Sequence, residues 1–562
     1  MQLTPNMRRA LCMATITLVA ACGKHPSTER AAGANAQRTP VARPLAPTAA
    51  PVTHTGLRTG GGQRPEQVRI GAGGMGIAHL GIGGNGYIDY GCVSDAQRPS
   101  GYGSVFVRAG ATAGTGTRAN PYGTIGQAVA AAGSGKMVVC VAGGHYTENL
   151  DLGMQRSRML VGGLNSTFTA RNAVATPSFV TAADANQPVM HAEAPIELVI
   201  DGFDVTGTGY RGIDVTAWDA NEKITLRNNH VHHNGCTTPT ARTDCGGINV
   251  GGATEDLGTI DQTTGANDGW GTVLTMTGLV ANVHHNIIRN NRLYEESLPH
   301  GAGMAIGMNG DVHHNLFFGN DTVSDGDHFG VGAGLIGQHD RGGSASVALL
   351  TVRDNWFEAN RTTKLGSAIF LDQYNIGYVY NNVVVKNFGT GAILVDGNCG
   401  DTCPGPNGNQ GRNFITVVNN TVADNEGAGF AIQDANASLY YNVFWRNRDG
   451  DVVGDIASEN GSPGADNKIR GAHNIMNINP ADFPELLDTQ GGEGIANLLR
   501  SLAAQDYRLT DPGNSPLIPY RYDQQFVPAI PLPVALPPPA DDFNGASRPD
   551  ASGRYLYGAY GQ

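Results

Sequence analysis

Between residues 226 and 447 one short phrase recurs seven times, and no other feature of the chain restricts its fold as much. The phrases read LRNNHVHHN, VHHNIIRNN, VHHNLFFGN, VRDNWFEAN, VYNNVVVKN, VVNNTVADN and LYYNVFWRN. They place Asn229, Asn286, Asn315, Asn355, Asn382, Asn420 and Asn442 in one column. A second column, five residues later, holds Asn234, Asn291, Asn320, Asn360, Asn387, Asn425 and Asn447. Successive phrases lie between 22 and 57 residues apart, so the short intervals suit one bare coil and the long ones carry loops. A unit this small cannot bury its apolar residues alone; stacked on copies of itself it can, which makes a solenoid.

Within each phrase an apolar residue precedes the first Asn by three positions, as in Leu226 and Val283, and another follows it by two, as in Val231 and Ile288. Both point inward if the Asn sits in a bend. Asn suits a bend because it tolerates the left-handed backbone region and bonds locally, and stacked amides can bond to one another in a ladder. Between the phrases lie Gly-rich segments, CGGINVGG, GAGMAIGM, GAGLIGQH, GSAIFLDQ, GAILVDG and GAGFAIQD. They alternate, with Ile248, Met304, Leu335, Ile369, Ile393 and Phe430 on one parity, as short half-buried strands do. A Gly-rich strand, a turn, an apolar strand, an Asn bend and another strand make one coil of an all-β, single-stranded right-handed parallel β-helix. About twelve coils at a strand spacing of roughly 4.8 Å give a rod about 60 Å long.

The Asn-anchored repeats resemble those of right-handed β-helix proteins of the pectin-lyase-like superfamily. So do the entry segment NPYGTIGQAVAAAGSGKMVVCVAGGHYTENLDL, and DYRLTDPGNSPLI and RPDASGRYLYGAYG near the C-terminus. The resemblance covers about residues 104 to 562 and implies the fold. It does not imply one activity, because this fold carries lyases, hydrolases, epimerases and adhesins.

Residues 1 to 21 contain Arg8 and Arg9, an apolar stretch, and then Val19, Ala20 and Ala21 before Cys22. That order is a signal peptide too short to remain as a membrane span. Small residues directly before a Cys resemble a bacterial lipoprotein box, which implies cleavage before Cys22 and lipidation of its thiol. Gly23 in place of Asp then favours the outer membrane, by resemblance to lipoproteins of Gram-negative bacteria. Residues 22 to 66 are rich in Ala, Pro and Gly with no apolar period, so they read as a disordered tether. Residues 67 to 103 form a Gly-rich N-terminal segment, 104 to 505 the β-helix, and 506 to 562 a C-terminal coil and cap. Thr124 to Ala132 reads as a short helix with Ile125, Ala128, Val129 and Ala132 on one face, suited to covering the open end of the core.

Charged residues make up only 15% of the chain and Gly is 79 of 562, which fits many tight turns around a narrow aliphatic interior. The formal net charge is −12, and no basic stripe exists to neutralise phosphates, so nucleic acid is excluded as a partner. Six cysteines remain beyond Cys12 and Cys22, in a compartment that permits disulfides. Cys236 with Cys245 and Cys399 with Cys403 would each close a loop, and Cys92 with Cys140 would tie the N-terminal segment to the first coil. Other pairings remain open.

Alignment of the Gly-rich strands puts Asp372 and Asp396 at equivalent outward positions of adjacent coils, with Gln338 and Gln433 in the same column on either side. Two carboxylates one strand apart repel, and a shared proton or a cation must relieve the repulsion. The first outcome gives an acid and base pair for glycosidic cleavage. The second gives a Ca²⁺ site, with Asn398 and Asp401 as further oxygen donors. His339, Asp340 and Arg341 follow Gln338, and Tyr374 follows Asp372, adding a proton carrier, a cation and a sugar-stacking ring. Resemblance adds that β-helix lyases and hydrolases use this strand face for sugar, sometimes through Ca²⁺. The alternative is a polar face that only keeps the solenoid wet.

His284-His285 and His313-His314 recur in successive coils beside His232-His233, and stacked histidines either bind a transition metal or are repeat-derived bend residues. The loop SDGDHFG carries Asp325, Asp327 and His328, and the long insertion before Leu274 carries Trp270, a sugar platform or a residue packing its own loop. No phosphate-binding loop or nucleophile elbow is present. Two functions follow. One is an envelope lipoprotein that binds polysaccharide and cleaves it by lyase or glycoside-hydrolase chemistry through Asp372, Asp396 and His339. The other is a non-catalytic adhesin or scaffold.

Overall fold

The chain divides into two units, Met1–Glu66 and Gln67–Gln562. The structure, a computed structural model, describes residues 87–112, 114–217, 222–235, 246–251, 281–295, 301–307, 309–324, 330–338, 348–363, 365–372, 375–396, 414–433, 435–454 and 468–478. It also describes 482–483, 486–487, 499–501, 506–509, 540–543, 547–548 and 558–560. All of these belong to the second unit. The signal peptide, Cys22 and the tether lie outside the described residues.

These residues form a parallel β-helix with three long sheets. The first has 13 strands, from Gly103–Val107 to Leu486–Leu487; the second has 10, from Gly144–Thr147 to Val443–Trp445; the third has 10, from Leu150–Asp151 to Val452–Gly454. One coil runs through all three, as in Ala281–His284, Ile287–Arg289 and Met304–Ile306, and each strand pairs in parallel with its counterpart in the next coil. Parallel crossovers wind right-handed as a rule, which is the hand expected from the repeats. The inward columns read from the sequence form the interior: Leu226, Val283, Val312, Val352, Val379, Val417 and Leu439 are fully buried, as are Val231, Ile288, Phe317, Phe357, Val384, Val422 and Phe444. Phe317 and Phe357 stack with ring centroids 4.5 Å apart, so even the aromatic core positions repeat at the strand spacing.

Both asparagine columns form amide ladders. In the first, Asn286 Nδ2 donates to Asn315 Oδ1 at 2.9 Å and to the Leu226 carbonyl at 2.8 Å, while its Oδ1 accepts from the Asn229 backbone N–H and Nδ2. Each amide thus bonds forward and back with its donors and acceptor engaged, and the ladder extends one coil beyond the recognised repeats to Asn474. The second ladder runs from Asn234 to Asn447, whose Nδ2 ends on Asp451 Oδ1 at 2.9 Å.

One detail of the bend differs from expectation. The left-handed residue is not the ladder Asn but the one before it: Asn228, His285, His314, Asp354, Asn381, Asn419, Tyr441 and His473 have φ between 53° and 57°. Before the second ladder the same place is taken by His233, Asn290, Gly319, Ala359, Lys386, Asp424 and Arg446. The ladder Asn is chosen for its amide and its neighbour for tolerance of positive φ. Ala359, at φ 57°, has neither the freedom of Gly nor a polar side chain to bond locally. Left-handed Ala costs about 1–2 kcal/mol and unfolded Gly gains back part of that in entropy. Ala359→Gly therefore raises stability by about 0.5 kcal/mol, read as a higher urea midpoint with an unchanged slope.

The helix α1, Ile125–Ala131, forms as the pattern predicts. The Thr124 side chain accepts from the Gln127 N–H at 3.2 Å, and the Glu148 carboxylate takes the Ile125 and Gly126 N–H groups at 2.8 Å each. These bonds satisfy donors that a helix start leaves unpaired. Ile125 and Ala128 enter the core beside Val107, Val139 and Val141, so the helix covers the apolar end of the first coils. The Cys92–Cys140 disulfide is present, with Cα atoms 5.4 Å apart, and ties the N-terminal segment to the first sheet. Cys236, Cys245, Cys399 and Cys403 lie outside the described residues.

The C-terminal residues lie along the side of the rod. Tyr507, Phe543, Ala559 and Tyr560 pack on Trp356, Val383, Val385, Tyr441 and Val443. The Trp356 ring meets Tyr507 at 5.8 Å and Phe543 at 6.3 Å. Outward positions of the second sheet are apolar here, and a solenoid flank of this composition needs a cover.

Candidate functional site

The third sheet carries the column on which sugar chemistry was expected. Its strands align Gln338 with Asp372, Asp372 with Asp396 and Asp396 with Gln433. Ile369, Leu371, Ile393 and Val395 face the central core, so Phe370, Asp372, Leu394 and Asp396 alternate onto the outer face. Register and direction agree with the sequence alignment, but exposure does not. Asp372 and Asp396 are each 4% exposed and Gln433 is 3% exposed, so this face is not a wet one. The reason is that Ala305, Ile336, Phe370, Leu394 and Ala431 make a second apolar stripe on the outside of the sheet, closed off with Val331 and Ala428.

In parallel strands, paired residues sit one strand spacing apart, about 4.8 Å. Two carboxylates on such neighbouring positions with little water repel unless a proton, a cation or neighbouring donors compensate them. The side chain of Gln338 is outside the described set. So are His339, Asp340, Arg341, Tyr374, Asn398, Asp401, Trp270, Asp325, Asp327 and His328.

A second group of functional side chains lies around the bend between the first and second sheets. His284 pairs with His313 in the first sheet, and the bend residues His285 and His314 follow them. The His284 and His313 rings stack 4.8 Å apart and 1° from parallel; those of His285 and His314 stack 5.0 Å apart and 6° from parallel. Within each coil the Nδ1 atoms face each other, 2.7 Å between His284 and His285 and 2.9 Å between His313 and His314. Asn282 Oδ1 accepts from His313 Nε2 at 3.1 Å, so a neutral His313 presents its Nδ1 lone pair. Burial, reinforced by neighbouring imidazoles and arginines, depresses all four: His284 to about 3, His285 and His314 to about 4, and His313 further still.

Two coils before His284, Asp204 holds two imidazoles of the next coil at once. His230 Nδ1 is 2.8 Å from its Oδ2 and His232 Nε2 is 2.8 Å from its Oδ1, with the rings stacked at 4.0 Å. Arg289 Nε donates to His230 Nε2 at 2.8 Å, which fixes the His230 proton on Nδ1. Burial raises the Asp204 carboxyl, but the two imidazole bonds outweigh it and hold the group well below the carboxylate range. Burial also outweighs the Asp204 bond at His230 and depresses that ring to about 4. Sequence reasoning missed Asp204 and His230, although strand alternation places His230 and His232 together on either side of the inward Val231.

No protein-family model matches the chain, and no curated protein does. Among solved structures, "The complex structure of XylC with xylose" is similar over 70% of this chain and 86% of that chain, at 9% sequence identity and a TM-score of 0.31. A likeness that slight carries no argument about activity.

Proposed function

We propose that this chain is an envelope-anchored lipoprotein, held in the outer membrane through Cys22, whose β-helix binds polysaccharide at the column Gln338, Asp372, Asp396 and Gln433 and cleaves it. On this reading it stands with the pectin-lyase-like proteins its repeats resemble. The observation that carries the site is the register of Asp372 against Asp396, both 4% exposed. Two buried aspartates on paired positions of adjacent strands, with backbones about 4.8 Å apart, can bring their carboxyl groups to the separation of about 5–5.5 Å used by retaining glycosidases. On this reading one carboxyl is the general acid and the other the nucleophile or base. The same buried pair equally suits Ca²⁺, with Asn398 and Asp401 near in sequence, and that ion when bound would hold a uronic-acid carboxylate. His339 is then the proton carrier, and Arg341, Tyr374 and Trp270 contact the sugar.

The burial that strengthens the electrostatic argument also favours a second reading. Phe370 and Leu394 close the face beside the two aspartates, and a closed face suits a non-catalytic scaffold or adhesin. The readings separate on one experiment. The full chain is incubated with uronic-acid and neutral polysaccharides, with and without Ca²⁺, while ultraviolet absorbance follows unsaturated ends and a reducing-sugar assay follows hydrolysis. Cleavage is expected, and Asp372→Asn or Asp396→Asn slows it by about 100-fold or more without lowering the melting temperature. No cleavage of any polysaccharide leaves the scaffold reading in place.

A further inference from the structure

We propose that His284, His285, His313 and His314 form a binding site for a divalent late transition-metal ion of the Zn²⁺, Ni²⁺ and Cu²⁺ class. The inference does not rest on the polysaccharide reading, and the site lies on different sheets from Asp372 and Asp396.

The geometry points there in three ways. First, donor atoms of His284, His285 and His313 all lie within 4.8 Å of one another, and the coil spacing sets His314 beside His285. Second, the Nδ1 separations of 2.7 Å and 2.9 Å are those of one shared proton between the two rings of each pair, so both nitrogens converge on a single point that an ion can take in place of the proton. At an ion–nitrogen distance of about 2.05 Å a tetrahedral ion holds its donors about 3.3 Å apart, so each pair opens by about 0.5 Å to take it. A pair from one coil and a single imidazole from the next therefore supply three nitrogens after a small ring rotation, leaving a fourth position for water or another ligand. Third, the Asn282 amide oxygen fixes the outer nitrogen of His313, which is the arrangement that orients metal-ligating imidazoles.

Electrostatics are compatible. The depressed basicity of the four rings keeps them neutral, the form that binds metal. Arg227 and Arg353 flank the pair along the first sheet. Each meets carboxylate charge: Arg227 Nε is 3.1 Å from Asp201, and Arg353 is 2.8 Å from Asp311 and 3.0 Å from Asp354. The Asp204 cluster is the weaker competitor. Its carboxylate already takes an imidazole N–H from each of His230 and His232, and Arg289 occupies the remaining nitrogen of His230.

The repeat itself supplies variants that fold. Asn228, Asn381 and Asn419 occupy the position of His285 and His314 in other coils with the same backbone, so His285→Asn with His314→Asn keeps the bend. Arg227 and Arg353 occupy the position of His284, so His284→Arg is a second variant. The full chain, stripped with chelator, is titrated calorimetrically with ZnCl₂, and Co²⁺ is added separately to record its visible spectrum. The parent is expected to bind one Zn²⁺ with a Kd of about 1 µM or below and to give a nitrogen-ligated Co²⁺ band. Both variants are expected to weaken binding by about 100-fold and to lose the band, with unchanged circular dichroism, while His230→Gln with His232→Gln binds as the parent does. Absence of saturable binding overturns the proposal. So does undiminished binding in the two variants, or loss of binding in His230→Gln with His232→Gln.

Discussion

Asn355→Ala lowers the unfolding free energy of the rod by about 4 kcal/mol. The substitution removes two donors and one acceptor at the middle of the first ladder. Asn355 Nδ2 donates to the Val312 carbonyl at 2.8 Å and to Asn382 Oδ1 at 3.1 Å, and its Oδ1 accepts from the Asn315 backbone N–H at 2.9 Å and from Asn315 Nδ2 at 3.0 Å. Asn315, Asn355 and Asn382 are all fully buried, so water cannot replace what is lost. Each buried group left without its partner costs about 1–3 kcal/mol, and four groups are affected, some of them keeping a second bond. The sum reaches the upper end of single-substitution effects. His314→Asn, one residue from the same ladder, is expected to change stability by less than about 0.5 kcal/mol, since other coils place Asn there. Urea unfolding of the two variants beside the parent decides the matter. A cost below about 1 kcal/mol for Asn355→Ala would mean that the ladder reports the stacking of coils without contributing to it.

That contrast also explains which parts of the fold could be read in advance. The interior was legible because Val283 or Phe357 must recur in register for coils to stack, and recurrence is visible without coordinates. The ladder was legible because its Asn never varies between repeats. Its left-handed neighbour was misplaced because the pairs Asn228-Asn229, Asn381-Asn382 and Asn419-Asn420 put the same residue type in both roles. The variation before the ladder, through His285, Asp354 and Tyr441, was the signal: an invariant column does a hydrogen-bonding task, and a varied one needs only to tolerate a backbone angle. At the third sheet, alternation was enough to pair Asp372 with Asp396. It could not show their burial, because an apolar stripe outside a sheet becomes buried through residues that are distant in sequence, as Val331 and Ala428 are from Phe370. Asp204 escaped notice because its coil precedes the first Asn phrase, so no column pointed at it.

Acidification supplies the second large effect. In the unfolded chain an imidazole takes up a proton as pH falls through about 6.5. In the folded rod, burial delays that event to about 4 for His230, His233, His285 and His314, to about 3 for His284, and further for His313. Across the interval the unfolded state binds more protons than the folded one, so each fall in pH favours unfolding. The stability these rings contribute is fully present above about pH 6.5 and is lost as pH falls toward 3 to 4. Asp354 works against them: burial raises its carboxyl to about 6, so it takes up a proton in the folded rod before the unfolded chain does. Asp311, Asp424 and His191 are raised in the same sense, yet with Asp354 they do not offset six imidazoles. From pH 7 to pH 5 each ring contributes a loss of about 2 kcal/mol at most, and halving the six-ring total for partial exposure and mutual coupling, less the opposing gain at Asp354, leaves about 5 kcal/mol. Urea midpoints measured at the two pH values in the presence of chelator give this difference directly. His285→Asn with His314→Asn should recover about 2 kcal/mol of it, because two of the six delayed protonations are gone. Equal stability at pH 7 and pH 5 would show that these histidines are solvated well enough to protonate in place. The stacked imidazoles of adjacent coils would then be a feature of the surface, with no cost attached to charging them.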